Sequence, residues 1–193
     1  MKLTSKEARK MLENERGKKS NDHWIEHSIC VGNTAGIIAK ALKLDEDYAR
    51  TLGYIHDIGK GVGVPHNHDI NGYKYIKELG YDDEYANVCL THSYLNNDVN
   101  CTAGGYPRDI PFRTEFIKNH EYTIYEKIIN LCDLMCTKVN MTLEKRLIEI
   151  MLRKGVYENT VYLITEAQKL KKEIDDMLGF NVYELFPEIK DNL

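Results

Sequence analysis

Apolar residues recur every three or four positions through most of the 193-residue chain, and only four prolines interrupt them. That spacing is the period of a helix with one buried face. No stretch alternates apolar and polar residues as a half-buried strand would. The chain is therefore expected to be all-α. Its length suits one full hydrophobic core, so residues 1–193 are read as a single helical bundle, with 141–193 completing it.

Local signals divide the chain. "TSKE" is a capping-box pattern and opens a first helix over roughly 4–15. A second is expected over roughly 22–43, a third over about 45–56 with Asp45 as its cap, and a Gly-rich loop over Gly59–Pro65. Further helices are expected over about 67–79, 82–95, 122–139, 142–153 and 158–178. Residues 96–116 carry two of the prolines and read as irregular.

Charge and cysteine usage exclude some classes. The 26 basic and 30 acidic residues leave the chain mildly acidic, so no nucleic-acid polymer is expected as a partner. A small phosphorylated substrate needs only a few local cations. The polar N-terminal stretch and the lack of a long apolar run give a cytoplasmic expectation with no membrane. Cys30, Cys89, Cys101, Cys132 and Cys136 show no paired spacing and read as small buried hydrophobes. A homodimer is the base-rate expectation.

The chemistry-bearing residues form a series. His27 lies on the apolar stripe of the second expected helix, where a lone histidine reads as a hydrogen-bonded core residue. Asp133 sits inside the apolar "KIINLCDLMC", where a carboxylate is costly unless paired or bound to a cation. His56 and Asp57 stand side by side at a helix end, His68 opens a helix, and His92 ends one. Departure from helical geometry at that helix end would let His56 and Asp57 converge. Singly each has a bland reading. Together, four histidines and two aspartates on separate helices suit iron, manganese, zinc, nickel or cobalt.

In order, His27, "HDIGK" at 56–60, "HDING" at 68–72, "THS" at 91–93 and "LCD" at 131–133 resemble the HD superfamily of metal-dependent phosphohydrolases. The resemblance covers about residues 22–140. It implies one or two divalent metal ions: His27, His56, Asp57 and Asp133 on the first, and His68, His92 and a shared Asp57 on the second. It also implies attack of activated water on a phosphoester or phosphoanhydride, with Asp57 and Lys60 at the catalytic centre. Lys60 is close enough to the doublet to reach a bound phosphate. His66 and His120 have no clear slot, and His66 stands as an alternative to His68. The six-ligand order and the length are similar to binuclear bacterial diadenosine tetraphosphate hydrolases. Nucleoside monophosphates, dinucleoside polyphosphates, guanosine tetraphosphate and cyclic nucleotides all stay open as substrates. A regulatory module with the same fold and little turnover is the alternative.

Two motifs point elsewhere. "HWIEH" at 23–27 matches the H-x-x-E-H of inverted zinc peptidases but leaves the "HDIGK" series unexplained. "GGYP" at 104–107 is similar to the Gly-Tyr-Pro element of a cyclic-dinucleotide branch, yet the chain has "THSYLNN" where that branch carries His-His-Glu. The 96–116 segment is expected to form a substrate lid, with Arg108 and Arg113 as its phosphate-binding groups.

Overall fold

The computed structural model describes residues 1–19, 22–62 and 65–192, and among the described residues there are ten α-helices. Thr4 and Glu7 cap each other at the start of α1 (Ser5–Glu13). Helix α2 spans His23–Ala41, and Asp45 caps α3 (Glu46–Ile55) through the Tyr48 amide. A short α4 (Gly59–Val62) and a 3₁₀ turn (Pro65–Asn67) lead into α5 (His68–Glu78) and α6 (Asp83–Thr91). The remaining helices are α7 (Pro111–Asn119), α8 (Ile124–Asp133), α9 (Leu143–Lys154) and α10 (Thr160–Leu178). Among the described residues there is no strand, only a single bridge between Cys136 and Asn140.

The core explains how distant segments meet. Helices α2, α3 and α8 pack together through Val31, Ala35, Ile38, Leu52, Ile55, Ile128 and Ile129, all with no more than 1% exposure. A Cβ on Gly53 would lie 2.4 Å from the Gly32 Cα, so glycine on both helices is what lets α2 and α3 cross this closely. That approach sets His27 beside the end of α3. All five cysteines are buried and unbridged. No helix among the described residues is long and apolar enough to cross a membrane.

Four segments differ from the sequence expectation. The helix expected over 122–139 stops at Asp133, although apolar spacing continues through Leu134, Met135 and Val139. The chain turns there, and Asn140 beyond the turn is held by tertiary partners: its Oδ1 accepts from Thr34 at 2.6 Å, and its Nδ2 donates to Glu188 at 2.8 Å. The segment read as irregular over 96–116 contains the start of α7, with Pro111 in its first turn, where proline's missing N–H costs nothing. The helix expected over 82–95 ends at Thr91. The expected loop Gly59–Pro65 begins as α4, and its Gly63 and Val64 lie outside the described residues.

Candidate metal centre

Helix ends build the centre. His56 is the C-cap of α3 and Asp57 follows it; His68 is the first residue of α5; His92 is the C-cap of α6; Asp133 is the last residue of α8. His27 alone comes from within a helix, on the second turn of α2. The basis expected for the His56–Asp57 convergence needs correction. His56 keeps right-handed helical torsions (φ −53°, ψ −37°). The turn tightens instead through i→i+3 bonds, Ile58 N–H to the Ile55 carbonyl at 3.0 Å and Lys60 N–H to the Asp57 carbonyl at 2.9 Å.

Asp57 lies at the middle, 1% exposed. Its Oδ2 faces His56 Nε2 at 3.5 Å and His27 Nε2 at 3.9 Å. Its Oδ1 faces His68 Nε2 at 3.4 Å and His92 Nε2 at 3.5 Å. Asp133 Oδ1 lies 2.8 Å from His27 Nε2 and 3.9 Å from His56 Nε2. Two three-residue groups therefore have donor atoms close enough to share an ion: His27, His56 and Asp57, and Asp57, His68 and His92. One carboxylate belongs to both.

The donor set passes a chemical test for divalent metal. His56 Nδ1 bonds the Gly53 carbonyl at 2.7 Å and His92 Nδ1 bonds the Cys89 carbonyl at 3.0 Å. A carbonyl only accepts, so each Nδ1 carries the proton and each Nε2 turns toward the centre. His56 Nε2 and Asp57 Oδ1 are buried with no hydrogen-bond partner among the described residues. Orphaned acceptors of this kind are rare in native interiors and mark a missing partner such as an ion.

The electrostatics favour ligand forms at His56, His68, Asp57 and Asp133. Burial pushes His56 down to about 3 and His68 down to about 4, keeping both imidazoles neutral. Burial works to raise the Asp57 carboxyl, but Lys60, His56, His92 and His68 together hold it well below the carboxylate range. Burial also opposes ionisation of Asp133, and the His27 hydrogen bond overrides it. His92 moves upward: burial disfavours its charge, and the neighbouring Asp57 carboxylate prevails.

A cavity of about 730 Å³ opens over this cluster. Lys60 lines it but folds back onto Asp57 Oδ2. Arg108 and Arg113 do not line it, which corrects the expected lid cations. Arg113 is 3% exposed and pairs with Asp69 at 2.8 Å, and Arg108 is an exposed residue whose carbonyl accepts from Arg113. Burial selected the ion pair: a guanidinium placed there must have an anion. His66 is exposed on the 3₁₀ turn and is in neither donor group; His120 bonds the buried Glu126 at 2.8 Å. Of "HWIEH", Glu26 pairs with Arg16 at 2.8 Å, and neither His23 nor Glu26 belongs to either donor group.

Sequence reasoning missed the opposite wall. Arg146, Glu149, Ile150, Arg153 and Lys154 of α9 line the cavity, with Lys138 before them. Their spacing marks one helical face, but charged residues on such a stripe read as a solvated surface.

Comparison with known proteins follows the same residues. A family model described as HD domain matches residues 24–137. The chain is similar to Ribonuclease Y of Fervidobacterium nodosum, 36% identical over 70 residues, 35% of this chain and 14% of the relative. It is similar to Ribonuclease Y of Lactobacillus helveticus, 38% identical over 88 residues, 45% of this chain and 14% of the relative. Ribonuclease Y of Clostridium perfringens is 36% identical over 70 residues, again 14% of its length. The matches thus span about a seventh of each of these relatives. No solved structure matches the chain.

Proposed function

The chain belongs to the HD domain family, and from that premise we propose that it is a metal-dependent phosphohydrolase acting on a nucleotide-like substrate. HD domains bind divalent metals and are generally hydrolases. The observation that carries the reading is the two-sided Asp57 carboxylate, each oxygen facing its own pair of imidazoles. His27, His56, Asp57 and Asp133 would hold one ion, and Asp57, His68 and His92 a second. Bound there, one or two ions of iron, manganese, zinc, nickel or cobalt supply a nucleophilic water at neutral pH and neutralise phosphoryl charge.

The chain's own residues do the rest. The Nδ1 bonds to helix carbonyls hold the rings of His56 and His92 in one orientation. Lys60 sits on Asp57 and is within a side-chain rotation of the cavity, where its ammonium can meet a phosphoryl oxygen. In the hydrolysis the water oxygen bonds to phosphorus, the bond from phosphorus to the leaving oxygen breaks, and that oxygen takes up a proton. The cavity's volume falls within the roughly 300–1,000 Å³ usual for small-molecule sites. That supports a compact substrate, and the six-ligand order favours dinucleoside polyphosphates among those left open.

RNA is the second reading, supported by the ribonuclease relatives. Mild net acidity does not set it aside, because charge at this site differs in sign from the whole. Six cations and three carboxylates line the cavity, in a chain of net charge −4.

The test is metal content by elemental mass spectrometry on protein prepared without chelator or nickel resin, followed by hydrolysis of a chromogenic phosphodiester. Bound transition metal with turnover that Asp57→Asn abolishes is the expected result. Stoichiometric metal without turnover on this diester, nucleotides or RNA would favour the regulatory module.

A further inference from the structure

We propose that Arg146, Arg153 and Lys154 of α9 bind the non-reacting phosphates of the substrate, so that this site takes a compact chain of several phosphates. The inference rests on the phosphohydrolase reading and adds a second half to its site. These three residues lie beyond residues 24–137, where the family model matches, and they line the same cavity as Asp57 and Asp133.

The cluster is arranged by its surroundings. Glu149 is gripped from both sides, by Arg146 and by Arg153 Nε at 2.8 Å. One carboxylate thus orients two guanidiniums on the cavity wall and offsets only one of their charges. Arg146 is 11% exposed, and its Nε has no hydrogen-bond partner among the described residues. An arginine this covered, with unused donor capacity in a cavity, suits two oxygens of a phosphate through its planar guanidinium.

A second feature, the paired glycines of "GGYP", supports the same assignment. A Cβ on Gly104 would lie 2.6 Å from Lys154 Cδ, and the residue has φ +91°. The Lys154 stem therefore rests on bare backbone, and its Nζ reaches the Ala103 carbonyl at 3.4 Å. Asn159, 4% exposed, pins this loop to the start of α10 by donating to the Asn100 carbonyl at 2.8 Å and the Thr102 carbonyl at 3.2 Å. The loop's task is to seat a lysine from α9 at the cavity, in place of the lid arginines expected from sequence. Lys154 is an exposed residue that lines the cavity. Its ammonium is drawn below the usual lysine value by burial first and by Arg153 second, with Asp133 opposing.

Phosphate oxygens would relieve that crowding of cations. A single phosphoryl group at Asp57 leaves the α9 wall unmatched, whereas a phosphate chain reaches both. The cavity's limited volume, about 730 Å³, favours a short chain over a polymer.

The test uses the metal-stripped full chain and calorimetric titration with inorganic tripolyphosphate and orthophosphate at fixed ionic strength. Tripolyphosphate is expected to bind at least about tenfold more tightly than orthophosphate. The double variant Arg153→Ala/Lys154→Ala should lose that tripolyphosphate affinity by about tenfold or more, while Arg153→Lys/Lys154→Arg retains it. Gly104→Ala, which displaces the lysine stem, should weaken it in the same direction. Circular dichroism verifies that each variant is folded. Equal affinity for the two anions, or no change in the alanine variant, overturns the proposal. So does loss of affinity for a single-stranded oligoribonucleotide with tripolyphosphate binding intact. Metal content and diester turnover of the unmodified chain are scored separately, so failure of the phosphohydrolase reading is distinguishable from failure of this one.

Discussion

Replacing Arg113 by Met separates a buried structural ion pair from a substrate-binding cation. Arg113 Nη1 donates to Asp69 Oδ2 at 2.8 Å, and both side chains are 3% exposed. Removing one member of a buried pair leaves an uncompensated charge, typically a loss of about 3–5 kcal/mol. Asp69 keeps two donors, Tyr94 OH and the Ile70 amide, each at 2.8 Å. Those bonds favour the low end, about 3 kcal/mol. With an unfolding entropy of roughly 2.1 cal/mol/K per residue, 193 residues give about 0.4 kcal/mol/K, so Tm should fall by about 7 °C.

The assay is urea denaturation and a thermal scan of Arg113→Met, Asp69→Asn and the double variant. The double variant should recover part of the loss, because it removes the stranded carboxylate charge along with its partner. The pH dependence has a definite sign. Burial works to raise the Asp69 carboxyl, but the bonds from Tyr94 and Arg113 outweigh it and lower the folded value. Its contribution in the unmodified chain is thus present above the unfolded value, near 3.8, and fades as pH falls through the lowered folded value. In Arg113→Met one of the lowering partners is gone, and protonation relieves the buried charge. The stability gap between the two proteins should therefore shrink as pH falls. A loss below about 1 kcal/mol at pH 7, with a raised KM, would refute the reasoning and return Arg113 to the substrate.

Asp57→Asn should strip both ions, and His68→Ala should lower metal content from about two equivalents to about one; two retained equivalents in His68→Ala would remove His68 from the ligand set. Gly59→Ala should destabilise the fold by at least about 2 kcal/mol, because its Cβ would fall 1.8 Å from the His68 carbonyl oxygen and 2.5 Å from the Gly72 nitrogen, both of them backbone; an unchanged urea midpoint would contradict that crowding. His120→Ala should cost about 1–2 kcal/mol at pH 7 and move acid unfolding to higher pH. Burial tends to raise Glu126, yet His120, Thr123 and Thr91 hold it low, so its stabilisation persists above the unfolded value and disappears as pH falls through the folded one; an acid midpoint that stays put argues against the His120 bond.

Residue chemistry was legible where it was expensive. Asp133 could be singled out because a carboxylate on an apolar helix demands a partner, while His27, His56, Asp57, His68 and His92 stood out only as a set with it, in an order that resembles the HD superfamily. The structure brings these six together. What escaped depends on contacts remote in sequence. Arg113 looks like a loop cation until Asp69, 44 positions earlier, is placed against it. Helix α8 ends at Asp133 although local apolar spacing runs on, and Asn140 beyond the turn meets Thr34, 106 positions away. The α9 stripe of Arg146, Arg153 and Lys154 has the spacing of a solvated face, and only the fold shows a cavity in front of it.

The two C-cap histidines show how the backbone prepares the centre. A helix leaves its last carbonyls without amide partners, and burying them uncapped is costly. His56 bonds the carbonyl of Gly53 and His92 that of Cys89, each three residues back along its own helix. Each ring thus caps the helix that carries it. The same bond places the proton on Nδ1, leaving Nε2 as a lone-pair donor aimed away from the helix. Both Nε2 atoms then converge on Asp57, at 3.5 Å, from opposite oxygens. Orientation and protonation of these two donors are set by helix termination, before any ion arrives. That arrangement requires the histidine to stand at the end of its helix. A histidine one turn earlier would find its i−3 carbonyl already taken by the helix ladder. Its ring would then need a separate partner to fix the tautomer, as His27 does: its Nε2 faces Asp133 at 2.8 Å while its Nδ1 has none among the described residues.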